Sequence, residues 1–486
     1  MKRLGLWDII GGASLLVFLS TMAVSYLRID ENERTVTEAV LDASQEIQTG
    51  HEWMGLYHQD QRVGYAHVEK SAHGDDGYRY SVETRLQTRS FGEDLHLDVD
   101  MEASLNRDLV LQSFNFKIKA GPARFSGRGL VEENTLKLSV DTGGQTIERT
   151  MDLKEPPALK SMMGPSISRL DLTPGKTHRF PVFDPITQSN QTVEIEVVGP
   201  DTVIVVDAIV PVTHIRQRVA GMTLNAWLNS RGEMLRQELG MGLVAVRETE
   251  AQATARASGG RVDLVESTKI PVHRKADPKG NETERVLILS GEGIEGFDLA
   301  DHRQTVHGNR ITIRRETRSA GLPLQEESDL PSLKPEPLIQ SDHPEIRRAA
   351  QEALGDAKDT RKGALNIMRW VHENVEQRSV IGLPSAIETL KNRVGDCNEH
   401  TNLFIALSRA AGIPSRSVVG LMYADGRYGY HAWAEVKTQG GWMSVDATWN
   451  QAPVDLNHLA LIRGGLVEQA KLVQLFGNLE ITVEER

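Results

Sequence analysis

The sequence predicts an α+β chain in three parts: an N-terminal membrane helix, a large antiparallel β-rich region and a C-terminal α+β domain. Three observations carry that expectation. Residues 9 to 27 run "IIGGASLLVFLSTMAVSYL" without a charge, residues 50 to 260 alternate apolar with polar side chains, and the text from residue 343 onward holds runs with apolar positions at helical spacing.

At 486 residues, 39% hydrophobic and 25% charged, the composition is that of an ordinary globular protein, long enough for about three domains on the usual scale of roughly 150 residues each. The formal net charge is −12 and the pI is near 5.7. With no clustered Lys and Arg, nucleic acid is not an expected partner, because phosphate binding rests on grouped cations that release counterions.

Residues 1 to 30 read as a transmembrane anchor. The uncharged run approaches the roughly twenty residues a helix needs to cross the hydrocarbon. Lys2 and Arg3 should stay in the cytoplasm, so a single pass would leave the bulk of the chain outside it, in the periplasm or the extracellular space. A cleaved signal peptide is the alternative, since Ala23, Val24 and Ser25 offer small residues at a cleavage-type spacing, but the run exceeds the usual apolar core of about 7 to 15 residues. The following "ERTVTEAVLDASQEIQ" has near-helical apolar spacing and reads as a short helix leaving the membrane.

Residues 31 to 270 form the β-rich region. Segments such as "YRYSVETRLQT", "DLHLDVDMEASL", "LVLQSFNFKIKA", "TVEIEVVGP" and "TLNAWLNSRGEMLRQEL" have the period-2 pattern of half-exposed strands between Gly, Asn and Asp turns, in one or two meanders. Residues 271 to 342 hold two short strands, "RVLILS" and "NRITIRRE", and a proline-rich linker. The last part, 343 to 486, opens with "HPEIRRAAQEALGDAKDTRKGALNIMRWVHENV", two helices broken around Gly355 and Asp356.

Cys397 is the only cysteine, so an intramolecular disulfide is excluded. It is a buried hydrophobe, a metal ligand without sulfur partners, or a nucleophile; in an oxidising compartment a lone thiol also avoids mispairing. A break at Gly395-Asp396, an apolar-periodic run from Leu403 to Ala411 and a stop at Gly412-Ile413-Pro414 put Cys397 in the first turn of a helix. Free N–H groups and the positive helix end there should lower the thiol pKa and could hold an oxyanion.

Downstream, "YGYHAWAEVKTQGGWMSVDATW" reads as strands His431 to Lys437 and Trp442 to Val445 joined by Gln439-Gly440-Gly441. His431 opens one strand and Asp446 closes the other, so a hairpin brings them side by side. A carboxylate can then fix the imidazole while the other ring nitrogen addresses the thiol. Taken singly, the three read as a packed thiol, a surface or core histidine and a turn aspartate; together they form a catalytic constellation. Glu399 suits the helix N-terminus, His400 suits helix packing or hydrogen bonding, and Trp433, Trp442 and Trp449 read as hairpin packing more than as an acyl cleft. With no His/Cys cluster at zinc spacing and no EF-hand loop, no cofactor or metal is expected.

On "SAIETLKNRVGDCNEHTNLFIALSRAAGIPSRSVVG", "GYHAWAEV" and "GWMSVDATWN", in that order, residues 343 to 465 resemble the transglutaminase-like superfamily, the papain-related fold with a Cys-His-Asp triad. The resemblance implies Cys397 as nucleophile, His431 as base and acid and Asp446 as orienting carboxylate, with the cysteine helix packed on an antiparallel sheet. The implied reaction is transfer of the acyl group of a protein or peptide amide through a thioester; together with the N-terminal anchor this gives a membrane-anchored, exported enzyme, with hydrolysis preferred over amine cross-linking because an exported domain meets far more water than dilute amine. The calcium requirement of animal transglutaminases finds no identifiable ligands. The competing class is a non-catalytic, membrane-tethered envelope binding or scaffolding protein with an idle transglutaminase-like domain. The β-rich region lies outside the resemblance; it would meet a cell-envelope partner or dock a substrate.

Overall fold

The computed structural model describes residues 49–484 apart from internal stretches, the longest being 153–169 and 256–269. The uncharged run 9–27 and the helix expected at 33–48 lie outside the described residues. Among the described residues no helix is long and apolar enough to cross a membrane. The longest, Thr360–Asn374, has 15 residues and buries one face only, against about twenty apolar residues for a span. The expected single-pass anchor, and the placement of the chain outside the cytoplasm that rested on it, are corrected accordingly.

The chain divides into two compact units at residue 264. In the first, the alternation in the sequence becomes the two faces of one antiparallel sheet of fourteen strands among the described residues. The chain meanders outwards from β1 (Gly50–His58) to β8 (Thr146–Asp152), re-enters at the far edge as β9 (Thr177–Asp184), and meanders back to β14 (Leu243–Glu248). There β14 pairs antiparallel with β1, from Trp53↔Glu248 to His58↔Leu243, which joins both meanders into a single sheet. Residues 93–106 show the logic: Leu97, Val99, Met101, Ala103 and Leu105 are buried, while Asp98, Asp100 and Glu102 on the other face pair with Arg85 and Arg79.

The second unit carries, among the described residues, a nine-stranded sheet and helices packed on it. Strand order is β17 (Gln304–His307), β18 (Arg310–Arg314), β16 (Glu284–Ser290), β25 (Glu480–Glu484), β15 (Ile270–His273), β22 (Arg427–Thr438), β21 (Ser415–Ala424) and β24 (His458–Arg463), with β23 (Gly441–Val445) also on β22. The helix pair expected at the start of the C-terminal part is Pro344–Leu354 and Thr360–Asn374, separated at Gly355, whose φ of 60° suits a residue without a Cβ. Leu403, Phe404 and Leu407 of helix Cys397–Ala410 bury against Ile346, Ile367 and Val371 of that pair and Ala434, Val436 and Val445 of the sheet. The proline-rich stretch lays Ile339 into the same core, and Leu338 C=O accepts from Ala386 N–H.

One interruption in the sheet positions the site. β22 pairs with β15 at residues 427 and 428 and with β23 from Ala434 to Thr438. Between them, residues 429 to 433 have β21 alone as strand neighbour among the described residues. Gly420 of β21 stands opposite His431 there and opposite Ala460 of β24. A Cβ on Gly420 would lie 2.0 Å from the Leu459 carbonyl oxygen and 2.9 Å from the Trp433 ring. Gly420→Ala is therefore expected to cost about 3 kcal/mol or more, at the upper end for overpacking because backbone is what must move. A urea midpoint equal to that of the wild type would show that this glycine does not set the spacing of the three strands.

Candidate active site

The helix that carries Cys397 begins where it does because of its cap. Asp396 accepts from Asn398 N–H at 2.9 Å, and the Glu399 side chain reaches back to Asp396 N–H at 2.9 Å, a reciprocal capping box. Gly395 permits that return, since a Cβ there would lie 2.2 Å from Glu399 Cβ. Cys397 is the first helical residue and is fully buried. Its sulfur accepts a hydrogen bond from Ala432 N–H, so the thiol abuts β22 in the stretch that lacks a second strand neighbour.

The electrostatics at the sulfur reverse the expectation of a lowered thiol pKa. Burial, then the Asp396 charge, push the thiol well above its ordinary value, and the Ala432 N–H pulls only partly the other way. Asp396 is itself pushed well up by burial and Glu399, and Glu399 is raised by burial. The helix terminus is present as expected, but desolvation outweighs it and favours the neutral thiol.

The hairpin pairs Ala434↔Val445 through Thr438↔Gly441, and Asp446 follows directly. His431 Nε2 lies 2.7 Å from Asp446 Oδ2, both residues fully buried, and His431 Nδ1 is buried without a hydrogen bond. With the proton on Nε2 facing the carboxylate, Nδ1 carries the lone pair of a base. Asp446 Oδ1 accepts from Thr448 N–H at 2.8 Å and Trp449 N–H at 3.2 Å, while its backbone exchanges two hydrogen bonds with Gln451. Burial alone would raise its pKa, yet the charges and hydrogen bonds of His431 and His458 hold it far below the usual carboxylate range.

His458 and Asp455 were not singled out in the sequence. His458 Nε2 lies 3.1 Å from the same Asp446 Oδ2, and its Nδ1 lies 2.9 Å from Asp455 Oδ1. The only local signal is a histidine opening the apolar run "HLALI". Trp433 packs against both imidazoles, its ring centroid 6.1 Å from His431 and 5.2 Å edge-on from His458. Trp442 stacks under the Arg416 guanidinium and Trp449 packs on Met422 and Ala424. His400 Nδ1 bonds the Asp396 carbonyl at 2.8 Å, a helix-packing role.

His431, Asp446 and His458 could together face one metal ion, as could Asp301, His302 and Glu435. In the first set the facing nitrogens are committed to carboxylates; in the second, Arg463 pairs with Asp301 and Glu435, and Arg416 with Glu435. Neither is an open donor set, so no metal role is assigned.

A second polar group braces the loop between β23 and β24. Glu316 accepts from Ser444 N–H at 3.2 Å and from its hydroxyl, and Ser444 Oγ accepts from Val454 N–H at 3.1 Å. His302 and Arg303 flank Glu316 at 3.3 and 3.4 Å, and Arg303 donates to the Asp455 carbonyl at 2.6 Å.

Residues 347–447 match the model of the transglutaminase-like superfamily. An uncharacterized protein of Haemophilus influenzae is 29% identical over 180 residues, covering 30% of this chain and 47% of that protein, so the chain spans about half the length of this curated relative. A solved candidate cysteine protease from Cytophaga hutchinsonii is 22% identical, covers 44% of this chain and 83% of its own, and superposes with a TM-score of 0.26. A β-barrel-like protein of a domain of unknown function from Brucella abortus is 12% identical over 41% of this chain and 96% of its own, with a TM-score of 0.31. A candidate protease from Parabacteroides distasonis is 11% identical over 66% and 63% of the two chains, with a TM-score of 0.20.

Burial alone would lower the His302 pKa, but the hydrogen bond and charge of Glu316 outweigh it and raise it. A raised histidine contributes stability that is fully present below its ordinary value of about 6.5 and is lost as pH rises through the folded-state value. His302→Gln should therefore destabilise most near pH ~6 and least near pH ~9, read from urea unfolding at each pH. A penalty independent of pH would mean that His302 is not charged against Glu316. The segment that carries Cys397, His431 and Asp446, residues 347–447, is a transglutaminase-like domain.

Proposed function

We propose that the chain is a cysteine acyl-transfer enzyme that attacks the carbonyl of a protein or peptide amide, with Cys397 as nucleophile, His431 as base and acid and Asp446 as orienting carboxylate. The observation that carries this reading is the buried His431–Asp446 pair on the strand whose next amide, Ala432 N–H, holds the Cys397 sulfur. The transglutaminase-like match over residues 347–447 supports a cysteine-type enzyme in general.

The resting thiol is neutral, so activation accompanies attack. His431 Nδ1 takes the thiol proton as the S–C bond forms, and the carbonyl oxygen becomes an oxyanion at the helix N-terminus, where Cys397 N–H is one donor. Asp446 stabilises the imidazolium through Nε2–H. As the C–N bond breaks, His431 returns the proton to the leaving amine and a thioester remains. Water, with His431 again as base, releases the carboxylic acid and restores the thiol; an amine in its place gives a cross-link. Hydrolysis is preferred because water greatly outnumbers dilute amine.

A non-catalytic binding module is the second reading, favoured by the complete burial of all three side chains. A peptide pool containing a primary-amine probe separates the two. The wild type is expected to release free carboxylate and to yield a hydroxamate when hydroxylamine traps the thioester. Cys397→Ala should do neither while keeping its circular dichroism, and Asp446→Asn should turn over about 10²- to 10⁴-fold more slowly. Turnover surviving in Cys397→Ala would end this mechanism, and an inert wild type would transfer the weight to the binding module.

A further inference from the structure

Asp446 serves two imidazoles with one oxygen, and only one of them belongs to the proposed triad. His458 lies between two carboxylates, with Nε2 on Asp446 Oδ2 at 3.1 Å and Nδ1 on Asp455 Oδ1 at 2.9 Å. An ionised carboxylate oxygen accepts and does not donate, so an imidazole bonded to one at each nitrogen satisfies both only with a proton on each. His458 and Asp446 are also buried away from solvent, while Asp455 stands at the partly exposed end of the clamp.

We propose that His458 is a positioning residue: an imidazolium clamped between Asp446 and Asp455 that fixes Asp446 as an oriented carboxylate for His431 and balances its charge. This rests on the catalytic reading above and deepens it. The groups that face His458 are Asp446 from the turn after β23 and Asp455 on its own segment. His431 and Trp433 face it from β22, with ring centroids at 5.5 and 5.2 Å. Arg303 reaches the same loop at the Asp455 carbonyl and Arg285 reaches it through Asn457. Burial opposes charging His458, but the hydrogen bonds and charges of the two carboxylates outweigh it and raise its pKa.

The clamp has a consequence that packing alone lacks. With His458 charged, the Asp446 anion is shared between two cations whenever His431 is protonated. Without that charge the whole of the Asp446 field acts on His431. His458→Gln keeps a donor for Asp446 but loses the charge, so the acid limb of kcat/KM should move to higher pH. Asp455→Asn should do the opposite to His458 itself, letting it deprotonate at lower pH.

The test is imidazole nitrogen NMR on full-length Cys397→Ala, with the His458 signals assigned by their loss in Cys397→Ala/His458→Gln. The clamp predicts imidazolium shifts at both His458 nitrogens at pH ~7, and a titration lowered by about one unit or more in Cys397→Ala/Asp455→Asn. A neutral His458 at that pH, or a titration unmoved by Asp455→Asn, would overturn the clamp. The nitrogen shifts are read without turnover, so an imidazolium in a chain whose wild type proves inert would uphold the clamp and overturn the catalytic reading alone. In an active chain, an unshifted acid limb in His458→Gln would overturn the charge-balancing role.

Discussion

The buried carboxylate of Asp446 is the constraint on which the rest of the second unit depends. An ionised carboxylate taken out of water costs several kcal/mol unless its lone pairs are met, and leaving one unpaired costs about 3–5 kcal/mol. Four donors meet it: Thr448 N–H, Trp449 N–H, His431 and His458. They come from β22, from the turn after β23 and from β24, so these segments must hold their places together. Gly420, with no side chain between β22 and β24, and Glu316, which ties Ser444 and through it Val454, look like separate packing details but serve the same requirement.

The thiol lives under the opposite electrostatics. Around Cys397 the ionisable neighbours at the helix start include two buried acids, Asp396 and Glu399, and the thiol is fully buried. A thiolate at rest would have to be held against both. Burial instead favours the proton on sulfur, and His431, paired with Asp446, stands on the strand that contacts it. In the proposed mechanism proton transfer is coupled to attack, and the capping box that brings the acids near the sulfur is the same device that starts the helix at Cys397.

How much of this could be read from the sequence follows from which contacts are local. The helix start at Cys397, its stop at Gly412-Ile413-Pro414 and the hairpin joining His431 to Asp446 are written in short stretches, and the Asp396-x-x-Glu399 cap is visible in the text. His458 and Asp455 were not legible, because their contact with Asp446 depends on β21 lying between β22 and β24, a pairing without a local signature. Glu316 meets Ser444 across 128 residues for the same reason. In the first unit the alternation marks strands such as Leu97 to Leu105, but the closure of β14 onto β1 is a long-range choice. The thiol pKa was misjudged since a helix terminus is a local cause, whereas burial, which outweighs it, is set by the whole fold.

The most direct test of the central claim is the rate of iodoacetamide alkylation against pH for the wild type and His431→Ala, with Cys397 as the single thiol in the sequence. If His431 serves the thiol, the wild type should alkylate near neutral pH. His431→Ala should then react only above the ordinary thiol value of about 8.5. Superimposable profiles for the two proteins would contradict the account, since the thiol would then react without the base.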